Sequence, residues 1–142
     1  MNKCKFFQYE YDKHGTCVSD IYSGSNGPKE YGKAAMYLLN KYDFYSSFKK
    51  HGIKMDGSAG NNKETLRSIA ENLTGVSGSV YFTCASNKYL SELRVCTTVT
   101  ASTKSKPKVI KCPSGVISGA ESCGSSIILK KVPSFSSTGC EY

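Results

Sequence analysis

The sequence contains no tryptophan, only two arginines and two histidines, and no long apolar run. A helix that crosses a bilayer needs roughly 18 or more consecutive apolar residues, so we expect no membrane partner. The first residues, MNKCKFFQYEYDK, contain no apolar h-region, and we expect no secretory signal peptide in this stretch. No low-complexity tract indicates disorder. The length of 142 residues suits one domain, 1–142.

Seven cysteines are many for a protein of a reducing compartment, and none has the C-x-x-C or Cys/His spacing of a zinc site. Disulfide bonds are therefore the better explanation. Because seven is odd, at least one thiol lacks a partner within this chain. The glycosylation sequon at Asn72 also fits a secretory lumen, although such sequons arise by chance. An oxidising compartment and the missing export signal are compatible if the parent protein begins further upstream.

The formal net charge of +8 comes almost entirely from lysine. A basic balance of this kind favours polyanions such as RNA, through phosphate contacts that weaken with salt. A merely soluble, lysine-rich surface explains the charge nearly as well. The densest group lies beside a proline and predicts an exposed loop or edge strand; it comprises Lys104, Lys106, Lys108 and Lys111.

The distribution of apolar residues predicts an α+β fold in which helices come first and antiparallel strands follow. Helical spacing and capping residues, including an Asp43 cap and stops at Gly52 and Gly75, predict three helices. They cover residues 29–42, 43–52 and 62–73. Short β-branched and aromatic runs predict strands over 79–85, 92–100, 107–113 and 125–132.

The segment FFQYEYDKHGTC, residues 6–17, combines aromatic side chains with a carboxylate, an ammonium and an imidazole. If it is helical, Glu10 shares one face with Lys13 and His14, at i+3 and i+4. Gly15 would then be the positive-φ residue that ends the helix. Such a face could handle a phosphate, because histidine moves protons near neutral pH and lysine meets negative charge. An ordinary solvated helix face is the alternative interpretation.

The same segment, an aromatic pair followed by an E-x-x-K-H-G-[ST]-C core, resembles the second active-site segment of the ribonuclease T2 family. The stretch YGKAAMYLLNKYDFYSSFKKHGI resembles the helix pair that follows it in that family. SELRVCTT, VIKCP and SCGSSIILKKV resemble the family's C-terminal, cysteine-bearing strands. The resemblance covers about residues 4–133, and it implies helices packed on an antiparallel sheet.

The resemblance implies an endoribonuclease that cleaves single-stranded RNA through a 2′,3′-cyclic phosphate, by acid–base chemistry without metal or cofactor. His14 would be one member of the acid–base pair. Lys13 would stabilise the phosphorane by direct charge, while Glu10 would position or polarise its neighbours. Tyr9 stands where many members have a phosphate-binding histidine, and it can still donate a hydrogen bond. We expect a monomer that acts outside the cell or in a lysosomal or vacuolar lumen.

One departure concerns the family's first active-site segment, an H-G-L-W-P stretch with the partner histidine and a base-stacking tryptophan. It lies upstream of this motif in the family and is absent here, so we expect the chain to represent the C-terminal two-thirds of a ribonuclease. His51 shares the letters HG but falls where the resemblance places a helix-end turn, and we expect it to face solvent. A non-catalytic RNA- or partner-binding relic of the same fold is one alternative. A disulfide-rich structural or toxin-like module is another.

The resemblance also implies how the cysteines pair. Two nested bridges of the family would correspond here to Cys84–Cys123 and Cys96–Cys112. Cys17 and Cys4 would match cysteines that are bridged to the absent region. Cys140 lies beyond the matched segment, and pairing with Cys4, with Cys17 or with neither stays open.

Overall fold

The structure is a computed structural model that describes residues 8–131. Residues 8–10 are helical and continue into a π-helical turn, Tyr11–Gly15, and a 3-10 turn, Thr16–Val18. The α-helices are α1 (Gly27–Lys41), α2 (Phe44–Lys50), α3 (Lys63–Thr74) and α4 (Val116–Ala120). The strands are β1 (Asn61–Asn62), β2 (Val80–Ala85), β3 (Tyr89–Val95), β4 (Thr97–Thr98), β5 (Lys108–Val109) and β6 (Ser126–Ile127).

The predicted helices are confirmed, and local side chains set their ends. The Asp43 carboxylate accepts a hydrogen bond from the Ser46 amide at 2.9 Å and begins α2. The Asn62 side chain does the same for α3, through the Thr65 amide at 3.0 Å. Helix α3 ends at Gly75, whose φ of 76° is the left-handed conformation expected of a C-terminal glycine.

The strands form antiparallel pairs, as the α+β fold class predicts. Among the described residues, β2 pairs with β3, β1 with β6 and β4 with β5. The three pairs are separate two-stranded sheets that individual backbone hydrogen bonds link. The Leu90 amide donates to the Ile128 carbonyl at 3.0 Å, and the Ile110 amide donates to the Cys96 carbonyl at 3.0 Å.

The C-terminal strands are shorter than predicted. The run at 107–113 pairs only over β5, and the described part of 125–132 pairs over β6 and at Ile128, which forms a single parallel bridge with Tyr89. A proline stands at each end of the first run, and proline has no amide hydrogen to donate to a ladder. Within the second run, Ile127, Ile128 and Leu129 are buried. These residues are apolar because they pack in the core, and Ile128 and Leu129 do not extend β6. Helix α4 was not predicted.

The main core lies between α2, α3, the β2–β3 hairpin and β6. Its fully buried side chains include Leu66 and Ala70 from α3, Val80 and Phe82 from β2, and Ile127 from β6. This core holds the hairpin, and the strands that continue from it, against the helices. The β4–β5 pair reaches from there towards the N-terminal turns.

Candidate active site

Two side-chain pairs, each with i,i+4 spacing, connect the helical residues 8–10 to the π-helical turn. The Glu10 carboxylate Oε2 lies 3.8 Å from Nε2 of His14. The Lys13 Nζ donates to the Tyr9 hydroxyl at 3.2 Å. The side chains of His14 and Glu10 are 54% and 38% exposed, so a ligand in solvent can reach them. The structure therefore pairs Glu10 with His14 and Lys13 with Tyr9. Glu10 forms no ion pair with Lys13.

The Lys13 ammonium is the permanent cation of this face. Its hydrogen bond to the Tyr9 hydroxyl, followed by the charge interactions with Tyr9 and Glu10, raises the pKa of Lys13 above its ordinary value. Lys13 is therefore charged at neutral pH. In this contact the Tyr9 hydroxyl oxygen accepts a hydrogen bond from Lys13. The O–H group of Tyr9 therefore remains free to donate a hydrogen bond to a phosphate oxygen.

Gly15 does not end a helix in the left-handed conformation, and that prediction is wrong. Its φ is −81°, an ordinary right-handed value, and the chain continues into the 3-10 turn. Glycine is needed here for space: a Cβ at this position would lie 2.8 Å from Cε2 of the Tyr11 ring. The residue is buried beneath that ring, so Gly15 allows the turn to pack closely.

Tyr11 fixes the turn to the rest of the protein. Its hydroxyl donates a hydrogen bond to the Tyr22 carbonyl, and its ring meets the Tyr31 ring edge-on at 5.7 Å. Tyr22 also packs edge-on against Tyr31, at 5.6 Å, and is almost fully buried. This aromatic cluster positions the turn that carries His14 against helix α1.

A cavity of about 520 Å³ opens beside His14. Tyr31 and other residues of α1 form one wall. Strand β4 and the loop between β4 and β5 form another wall. The lining on that second wall comes from Thr97, Val99 and Pro107. Sequence reasoning had no signal for these residues, because they lie more than eighty positions away from His14 and carry no motif.

Strand β3 carries an exposed ion pair. Hydrogen bonds from Arg94 and then from Thr83 hold the pKa of Glu92 below its ordinary value, with a smaller contribution from the charge of His14. Arg94, 49% exposed, binds Glu92 at 2.6 Å. Neither side chain lines the cavity beside His14.

Comparison with known proteins identifies the family. The sequence model of the Ribonuclease T2 family matches residues 1–112. The chain belongs to the ribonuclease T2 family. It is 33% identical to Ribonuclease S-2 of Nicotiana alata over 113 residues, which are 80% of this chain and 47% of that protein. It is 32% identical to Ribonuclease S-6 of Nicotiana alata over 114 residues, 80% of this chain and 46% of that protein.

A solved structure supports the same fold. The chain superposes on trichomaglin, described as a novel S-like ribonuclease, with a TM-score of 0.65 and 20% identity. The match covers 90% of this chain and 54% of trichomaglin. The chain thus spans about half the length of the relatives it matches.

His51 lies at the end of a different helix from the residues of the ribonuclease T2 motif. It is the C-terminal cap of α2, it is exposed, and its Nδ1 lies 2.8 Å from the Ser47 carbonyl oxygen. It does not line the cavity beside His14. This placement agrees with the prediction of a helix-end residue that faces solvent.

The two disulfides in the structure are the pairs that the resemblance implied. Cys84 is bonded to Cys123, and Cys96 to Cys112. Cys17 is exposed and forms no disulfide with any residue between 8 and 131. Cys4 and Cys140 lie outside the described residues. The predicted glycosylation residue lies exposed on α3.

Two absences concern only the described part of the chain. No helix there is both long and apolar enough to cross a membrane. No group of three or more His, Cys, Asp or Glu side chains there is arranged to hold a metal ion.

Proposed function

We propose that this chain carries one half of the catalytic centre of a metal-independent endoribonuclease that cleaves single-stranded RNA. The observation that carries the proposal is the exposed face on which Glu10 lies 3.8 Å from His14 and Lys13 binds Tyr9. Family membership supports the same reaction class. The two disulfides support action in an oxidising compartment, in the secretory lumen or outside the cell.

In this reaction the ribose 2′-oxygen forms a bond to phosphorus while the bond to the 5′-oxygen breaks. A general base takes the 2′-OH proton, and a general acid gives a proton to the departing 5′-oxygen. His14 serves as one of the two, because an imidazole can move protons near neutral pH and this one is open to solvent. The other is the partner histidine of the family's upstream segment.

The roles of the residues near His14 follow from their charges. Lys13, an exposed cation, stabilises the extra negative charge of the phosphorane. The Glu10 carboxylate would repel a phosphate, so it acts through His14 by orienting the imidazole. The Tyr9 hydroxyl donates a hydrogen bond to a phosphate oxygen.

The reaction class is tested by joining this chain to an upstream family segment that contains H-G-L-W-P. The joined protein should cleave single-stranded RNA in EDTA and leave 2′,3′-cyclic phosphate ends, which ³¹P NMR or mass spectrometry detects. Cleavage that requires a divalent metal, or that leaves 5′-phosphate ends at once, would contradict the proposed chemistry.

A non-catalytic RNA-binding role is the second candidate. It is favoured by one observation: among the described residues, the face of the π-helical turn presents a single imidazole, and His51 lies elsewhere. Under this alternative, the joined protein would bind RNA in a salt-dependent manner and release no cleavage product at any pH.

A further inference from the structure

The longest stretch without acidic residues lies between Glu92 and Glu121. It contains one arginine and four lysines, and part of it forms the wall of the cavity beside His14. A basic surface that borders a proposed RNA-cleaving face is positioned to bind more of the substrate than the phosphate that reacts.

The structure separates the four lysines by their partners. The Lys104 Nζ binds the Glu30 carboxylate at 2.7 Å, so its charge is compensated. The stem of Lys111 packs over Gly78, where an added Cβ would lie 3.2 Å from the lysine Cγ. Lys106 and Lys108 are exposed and form no ion pair within residues 8–131. Lys111 forms no ion pair among these residues either. What sets Lys106 and Lys108 apart from it is that they flank Pro107.

Pro107 connects the two cations to the cavity. It is buried and lines the same cavity as His14, and it lies between Lys106 and Lys108 in sequence. Because neighbouring Cα atoms are about 3.8 Å apart, the backbone of both lysines lies next to the cavity wall, although neither side chain lines the cavity. Their long side chains can therefore reach a strand that passes the mouth of the cavity.

The loop that carries these lysines is held in place before any ligand binds. The Thr103 amide donates to the Thr100 carbonyl at 3.0 Å, and the Lys106 amide donates to the Thr103 carbonyl at 2.9 Å. The Tyr22 hydroxyl donates to the Lys104 carbonyl at 2.7 Å. Tyr22 belongs to the aromatic cluster beneath the π-helical turn, so the same side chains position the loop and the turn. Such preorganisation lowers the entropy cost of binding.

We propose that Lys106 and Lys108 form a second phosphate-binding subsite, which holds another phosphate of the same single-stranded RNA whose reacting phosphate lies at His14. The proposal rests on the proposed function, because it takes RNA as the ligand of the neighbouring face. The two lysines belong neither to the sequence motif nor to the bond-breaking step, so this subsite is additional to both. The lysines act as point charges, so this subsite tracks the backbone and does not read the bases.

The experiment measures binding of the full chain to a fluorescent single-stranded RNA oligonucleotide by anisotropy, over a series of salt concentrations. Lys106→Ala/Lys108→Ala should weaken binding on the order of tenfold at low salt. The slope of log affinity against log salt should fall by about 0.7 for each phosphate of the single strand that the variant no longer neutralises. Arginine at both positions should restore binding.

The control removes the same charge elsewhere. Lys49 and Lys50 are exposed at the end of α2, away from the cavity, and Lys49→Ala/Lys50→Ala should weaken binding less than about twofold. If the wild type binds RNA and both double variants lose affinity equally, the subsite is refuted while the proposed function stands. If the wild type shows no salt-dependent RNA binding at all, RNA is not the ligand of this chain, and both proposals fall.

Discussion

Glu121 lies at the centre of an ion network that joins α3 to the hairpin. Its carboxylate accepts hydrogen bonds from Arg67 Nη2 at 2.6 Å and from Lys63 Nζ at 3.1 Å. The Phe82 amide adds a third at 3.3 Å. Glu121 is 13% exposed, while Arg67 and Lys63 are 16% and 19% exposed, so water reaches none of these charges well. Replacing Glu121 removes the less exposed of the two carboxylates that pair with Arg67, and the same carboxylate also pairs with Lys63.

We expect Glu121→Gln to lower the free energy of unfolding by about 3 kcal/mol. Removing one partner of a buried ion pair costs about 3–5 kcal/mol, because the other charge remains poorly solvated and unpaired. The lower end applies here since the glutamine oxygen still accepts one hydrogen bond. Arg67 also keeps two further contacts, with Glu64 at 3.0 Å and the Val80 carbonyl at 2.6 Å.

Urea unfolding, followed by circular dichroism, measures the difference. Glu92→Gln is the matched control, because Glu92 binds Arg94 at 2.6 Å but both side chains are half-exposed. An exposed pair of this kind contributes at most about 1 kcal/mol. If the two variants lose the same free energy, burial of the Glu121 network does not control its contribution, and the reasoning fails.

The same network sets a pH dependence. Burial opposes ionisation of Glu121, but hydrogen bonds from Arg67 and Lys63 outweigh it and hold the pKa of Glu121 below its ordinary value. The stabilisation is therefore fully present above the unfolded pKa of about 4.3 and is lost as pH falls through the folded value. The difference between wild type and Glu121→Gln should shrink in acid. A constant difference from pH 7 to pH 3 would contradict this sign.

Three further variants test the packing around the site and the core. Gly15→Ala should lower stability by about 1–3 kcal/mol and weaken RNA binding, because the new Cβ meets a tyrosine ring. Gly119→Ala lies on α4, where a Cβ meets nothing within 4 Å, so it should leave RNA binding unchanged and should not lower stability; equal losses in the two variants would refute the packing role. Cys84→Ser/Cys123→Ser opens a loop with a sequence separation of 39 and should cost about 4 kcal/mol in urea unfolding. Asn62→Ala removes the α3 cap and should cost about 1 kcal/mol; no loss would mean that the capping bond is not formed in solution.

The helices could be predicted because their signals are local. Asp43 and Asn62 cap helices within four residues, and Gly75 ends one with its own backbone conformation. The pairing of Glu10 with His14 is equally local, since i,i+4 neighbours meet on any helical turn. The helix ends and the Glu10–His14 pair depend only on spacing along the chain, and that spacing can be read from the sequence.

The rest of the site depends on contacts between distant segments. The cavity beside His14 needs Pro107, and the turn needs Gly15 because the Tyr11 ring lies over it. A glycine that makes space and a glycine that ends a helix look alike in sequence, so the packing role of Gly15 was missed. Strand β6 is short, but the two apolar residues that follow it are also buried. Hydropathy alone cannot show where such a strand ends.

The central claim is that His14, and not His51, is this chain's member of the acid–base pair. The most direct measurement is the single-turnover cleavage rate of single-stranded RNA by the protein joined to the upstream segment. His14→Ala should lower the rate by about 10²–10⁴-fold, the range for loss of one acid or base. His51→Ala should leave the rate unchanged, because that imidazole only meets the Ser47 carbonyl at a helix end. A protein that is indifferent to His14→Ala but disabled by His51→Ala would contradict the account.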